Sequence, residues 1–90
     1  MQFEWDPAKA EDNEAKHGVT FQEASTAFGD PLSMVFDDPD HSYDEQRSLI
    51  VGQSDQGRTL IIAYTERGEA IRIISARETT RGERETYENG

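Results

Sequence analysis

Leu60-Ile61-Ile62-Ala63-Tyr64-Thr65-Glu66-Arg67-Gly68-Glu69-Ala70-Ile71-Arg72-Ile73-Ile74-Ser75-Ala76-Arg77 decides how this chain is read. Two runs rich in aliphatic residues flank the polar turn Glu66-Arg67-Gly68-Glu69, which is too short for anything but an antiparallel hairpin. Strands are therefore expected at about 59 to 65 and 70 to 77. Upstream, Ser54-Asp55-Gln56-Gly57 is a second short turn behind a strand at about 47 to 52, and another period-two run covers about 32 to 36. Together they spell a twisted antiparallel β-meander. The stretch Asp37-Asp38-Pro39-Asp40-His41-Ser42-Tyr43-Asp44-Glu45 has no apolar period and reads as an exposed loop. Phe3-Glu4-Trp5 alternates long enough for one short strand, with Trp5 as a core anchor.

Before the meander the pattern is helical. Asp6-Pro7 opens a helix, because aspartate caps well and proline lacks only an N–H that would have had no partner. Lys16 and His17 suit the negative end of its dipole, and Gly18 can take the left-handed conformation that ends it. Its apolar face is poor, with Ala8 and Ala15 the residues to bury. Thr20-Phe21-Gln22-Glu23 matches a capping box, Phe21, Ala24 and Phe28 share one face, and Gly29-Asp30-Pro31 closes the second helix. Two helices so close in sequence predict a helical hairpin. Thr80-Arg81-Gly82-Glu83 is another capping-box match, opening a helix whose only large apolar residue is Tyr87. The expectation is a single α+β domain over 1–90: helices within 7–29, sheet within 32–77, and a marginal C-terminal helix at 80–88.

Composition narrows the function. Nineteen acidic side chains face nine basic ones, a net charge of −10. Residues 1–45 hold 12 acids and 2 bases, whereas 46–90 hold 7 of each, and every base in the second half is an arginine. With no cysteine, disulfides and thiol catalysis are excluded, and two histidines make a metal centre a poor expectation. The longest aliphatic run, Leu60-Ile61-Ile62-Ala63, falls far short of the roughly 20 residues of a membrane span. These features predict a cytoplasmic protein that needs no cofactor and has no membrane partner.

Arginine offers phosphate a planar, permanently charged fork. Strict alternation along Ile71-Arg72-Ile73-Ile74-Ser75-Ala76-Arg77 puts Arg72 with Ile74 and Ala76, and Arg77 with Ile71, Ile73 and Ser75, so the two arginines start on opposite faces. Arg81 and Arg84 alternate with glutamates as on a solvated helix. Lys16 and His17 are ordinary residues for a helix end, and Glu45 beside Arg47 is an ordinary surface pair. Neither a Gly-rich phosphate loop nor a nucleophile elbow occurs.

In combination the motifs are more specific. Phe3-Glu4-Trp5-Asp6-Pro7-Ala8-Lys9, Asn13, Lys16-His17-Gly18-Val19-Thr20-Phe21, Glu45-Gln46-Arg47 before Gly52, Tyr64-Thr65-Glu66-Arg67-Gly68, Ile71 to Arg77, and Arg81-Gly82-Glu83-Arg84 before Tyr87-Glu88 closely resemble the pattern of the BrnT toxins of type II toxin–antitoxin systems. The resemblance implies a RelE-like fold and an endoribonuclease that inhibits translation by RNA cleavage without metal. It also implies a BrnA-like antitoxin with a ribbon-helix-helix part, through which operator DNA is reached. By resemblance Arg67 and Arg77 fall at the scissile phosphate and Arg72 is a weaker candidate. His17 would act as acid or base, Glu45 as the alternative base, and Lys16 and Arg47 on flanking phosphates. A catalytically inactive co-repressor of the same fold is the alternative. The acidic balance means that attraction to RNA has to come from a local arginine cluster and be salt-sensitive.

Overall fold

The computed structural model describes residues 1–38 and 46–89. Its strands are β1 (Gln2–Glu4), β2 (Met34–Asp37), β3 (Ser48–Gln53), β4 (Thr59–Arg67) and β5 (Ala70–Glu78); its helices are α1 (Pro7–His17), α2 (Phe21–Thr26) and α3 (Arg81–Asn89). The sheet runs β1-β5-β4-β3-β2. The four later strands form the expected antiparallel meander, but β1 joins its edge parallel to β5, with Phe3 opposite Ile71 and Glu4 opposite Arg72. The sheet is therefore mixed rather than wholly antiparallel. A parallel partner must be reached by a long crossover, which no local turn signal announces.

Residues Ala27–Gly29 finish α2 as a 3-10 turn instead of continuing the α-helix to Phe28. Asp6 accepts the Ala8 N–H as cap, and Gly18 closes α1 at φ 68°. The burial on α1 differs from expectation: Ala8 and Ala15 are exposed, whereas Asn13 is buried and Ala10 packs on the core. Asn13 holds its place as a peptide mimic. Its amide donates to the Val19 and Ala76 carbonyls at 3.0 and 2.8 Å and accepts the Ala76 N–H at 3.0 Å, filling the β5 edge beyond the end of β1. Both α1 and α2 rest chiefly on β5 rather than on each other.

Between them and the sheet lies the core of Val19, Phe21, Ala24, Ala27, Ile50, Leu60, Ile62, Tyr64, Ile73 and Ala76. Trp5 packs edge-on against Phe21 at 5.9 Å, and Phe28 bridges Phe3 and Tyr64, each at 5.1 Å. Gly52 lets the 3-10 turn approach, since a Cβ there would stand 2.8 Å from the Ala27 carbonyl oxygen. In the first capping box only half the pattern forms. Thr20 accepts the Glu23 N–H, but the Glu23 carboxylate turns to Arg58 and Ser54, joining α2 to the β3–β4 turn, and the Arg58 guanidinium holds that carboxyl below its usual range.

Candidate active site

One irregularity builds the site. Ile62 opposes Ala76 and Tyr64 opposes Ile73, so between these pairs β5 spends two residues where β4 spends one. This bulge reverses the alternation downstream. Arg77 leaves the face of Ile71 and Ile73 and joins Ser75 and Arg72 on the other face, correcting the expectation of opposed arginines. Rows across that face read Val51–Ile61–Arg77, then Leu49–Ala63–Ser75, then Thr65–Arg72–Glu4.

Here His17 and Arg77 come together. They border a cavity of about 380 Å³ along with Asp38, Ser75, Leu49 and Ala63. Three folding events meet at this point: α1 ends at His17, the bulge aims Arg77, and Asp38 is placed by its N–H donating to the Arg47 carbonyl at 3.1 Å, one step past β2. Asp38 is 8% exposed and lines the same cavity as His17 and Arg77. Sequence reading assigned it to a solvated loop; its only local signal was its position directly after an apolar strand.

Arg77 is engaged in a bidentate pair with Glu83 of α3, at 2.9 Å on each arm. Arg77, with help from the Thr80 N–H, holds the Glu83 carboxyl down at about 2, and the same pair raises the Arg77 guanidinium. Thus α3 lies on the arginine face, and Glu83, Thr86 and Tyr87 cover a groove floored by Met34, Phe36, Val51 and Ile61.

The remaining expected residues are spread out. Arg72 pairs with Glu4 at 3.0 Å. Arg67 stands opposite Ala70 at the hairpin end, six residues along β4 from the position facing Arg77, or about 20 Å of strand. The two arginines are therefore set well apart along the sheet. Arg47 lies at the start of β3, and its Nε is buried without a hydrogen-bond partner among the described residues. Lys16 is exposed and pairs with Asp12 at 2.9 Å, outside the cavity lining. Glu45 lies outside the described residues. Among those described, no three potential metal-ligating side chains gather, and no helix is long and apolar enough to cross a membrane.

The arrangement can bind an anion at Arg77 and move a proton through His17 or Asp38. Residues 5–83 match the family model described as ribonuclease toxin, BrnT, of type II toxin–antitoxin system. The crystal structure of the Brucella abortus ribonuclease toxin BrnT superposes with a TM-score of 0.69 at 25% identity, covering 90% of this chain and 99% of that one. No curated protein sequence matches. A family match over most of the chain, on a fold shared nearly end to end with that toxin, means that this chain belongs to the BrnT family of type II toxin–antitoxin ribonuclease toxins.

Proposed function

We propose that the chain is a metal-independent endoribonuclease that inhibits translation in the cytoplasm and is neutralised by a BrnA-like ribbon-helix-helix antitoxin, which carries the pair to operator DNA. The observation that supports this best is the convergence of His17, Asp38 and Arg77 on one cavity. The 2′-hydroxyl oxygen attacks the adjacent phosphorus as its proton leaves to a base, and the bond to the 5′-oxygen breaks as that oxygen takes a proton from an acid. The products are a 2′,3′-cyclic phosphate and a free 5′-hydroxyl. Arg77 steadies the charge that builds on the non-bridging oxygens. His17 serves as acid or base, because an imidazole can both accept and donate a proton, and Asp38 or Glu45 completes the pair. Arg72, Arg47 and Arg67 then track the RNA backbone away from the reacting phosphate, and Lys16 meets a phosphate at the rim.

The test is purified chain incubated with RNA beside Arg77→Ala, with and without ribosomes, both free of contaminating nuclease. Cleavage by the parent alone supports the reading; equal activity removes it. A second reading, a co-repressor without activity, is favoured by the net charge of −10, which suits a basic protein partner better than RNA. Expression in a bacterium without the antitoxin separates the two. Growth arrest abolished by Arg77→Ala belongs only to the enzyme.

A further inference from the structure

The guanidinium on which the proposed chemistry depends already holds an anion. Arg77 Nη1 donates to Glu83 Oε1 and Nη2 to Oε2, each at 2.9 Å, the same fork-to-fork geometry an arginine uses on two phosphate oxygens. The carboxylate is locked where it stands by a complete capping box. Thr80 N–H donates to Oε1 at 2.8 Å, and Glu83 N–H donates to Thr80 Oγ1 at 3.2 Å. One turn further on, the Tyr87 hydroxyl donates to Asp30, which also accepts the Leu32 and Gln53 N–H groups at 2.9 and 2.8 Å. Those bonds outweigh the effect of burial and keep Asp30 low, while Asp30 pushes the Tyr87 hydroxyl up to about 12.

So α3 crosses the arginine face as a strap tied at both ends. It has nine residues, none of them buried, and is too short to be stable alone. Its hold on the sheet depends on these two ties and on the apolar groove between them. An element with so little burial belongs to the part of a protein that opens most easily.

We propose that Glu83 is an intramolecular competitor for the substrate phosphate: α3 keeps its carboxylate in the Arg77 fork, and RNA gains Arg77 by displacing it. The inference rests on the ribonuclease reading above and adds a restraint to it. Apparent affinity for RNA is reduced by the fraction of molecules in which Glu83 is home, while turnover of bound RNA is untouched.

The experiment uses the full chain in four forms: wild type, Glu83→Gln, Tyr87→Phe, and Glu83→Gln combined with Arg77→Ala. Glutamine serves a capping box as glutamate does, so the first substitution removes the charge and keeps the cap. Inorganic phosphate is titrated while the Arg77 Nε–H and α3 amide signals are followed by NMR, and cleavage of a short RNA is measured in parallel. Glu83→Gln is expected to bind phosphate about two- to fivefold tighter and to lower KM for RNA in proportion with kcat unchanged. Tyr87→Phe, which spares both partners of the pair, shifts the same way by less and decides the matter if Glu83→Gln fails to fold. The double variant loses the gain. Phosphate affinity that stays equal or falls in both single variants overturns the proposal and makes Glu83 an orienting partner of Arg77. If no form cuts RNA yet Glu83→Gln binds phosphate more tightly, the ribonuclease reading fails and the competition stands. If wild type cuts while neither variant alters phosphate affinity or KM, the competition fails and the reading stands.

Discussion

The sheet face under α1 and α2 carries Ile50, Leu60, Ile62, Tyr64, Ile73 and Ala76, closed over by Phe21 and Ala24. The face under α3 carries Arg77, Ser75 and Arg72 among apolar residues such as Met34, Phe36 and Ile61, with an open groove and a cavity. On the first face the polar groups, Asn13 and Glu23, are buried and fully engaged with backbone or side-chain partners. On the second the paired side chains of Arg72, Arg77 and Glu83 are partly exposed. Both are made from the same strands, so folding energy and binding capacity are separated by which side of a strand a residue takes. Charge differs as well: α1 presents exposed Glu11, Asp12 and Glu14, while Arg72 and Arg77 lie on the opposite face of the sheet.

That division can be broken from either side. The largest effect is expected from Phe21→Ala, which empties a fully buried ring position and costs about 3–5 kcal/mol in denaturant unfolding. Arg77→Ala should cut the rate of RNA cleavage about 100-fold or more and loosen α3, while costing much less global stability than Phe21→Ala because the pair with Glu83 is partly exposed. A comparable loss of stability in that variant would mean that the two faces are not energetically separate. Gly52→Ala drives a methyl against the Ala27 carbonyl and should cost about 1–3 kcal/mol, read as a lower denaturant midpoint with an unchanged slope. Smaller still, Arg72→Ala should weaken RNA binding equally across sequences and reduce the salt slope by about 0.7, the value for one phosphate contact on a single strand.

Acid reaches the arginine face through Glu83. The Glu83 carboxyl lies at about 2 in the folded chain against an ordinary 4.5, held there first by Arg77. A depressed folded value gives stability that is complete above about 4.5 and is lost as pH falls from there through about 2. NMR signals of the Tyr87 ring should therefore report loosening of α3 across that window, ahead of signals from Phe21 and Ile73. Tyr87 has the opposite sign. Its folded value near 12 exceeds the ordinary 10, so its tie to Asp30 is present below 10 and is lost as pH rises through 12.

The helix starts at Asp6 and Thr20, the stop at Gly18 and the hairpin turns were all legible in the sequence, because caps and tight turns are contracts between residues a few positions apart. The arginine-rich second half was legible too, and so was the motif pattern of the family. Resemblance singles out Arg77 and imidazole chemistry singles out His17, and the fold sets both on one cavity. The buried side of α1 was misread, since Asn13 looks like a solvent residue until the open edge of β5 is known. Asp38 was missed because a carboxylate after a strand carries no mark of the pocket it will enter.

By itself, then, the sequence determined which segments are helix and strand, the uneven placement of charge and the membership of a toxin family. Only the tertiary structure decided that β1 closes the sheet in parallel, that Arg72 and Arg77 share a face, and that Glu83 sits in the Arg77 fork. The reason is physical. A bulge exists only relative to the strand it opposes, and a one-residue slip in that pairing moves every later side chain to the other face. No local rule along β5 contains that information; it is held in the contacts between Ile62, Tyr64, Ile73 and Ala76 that the core requires.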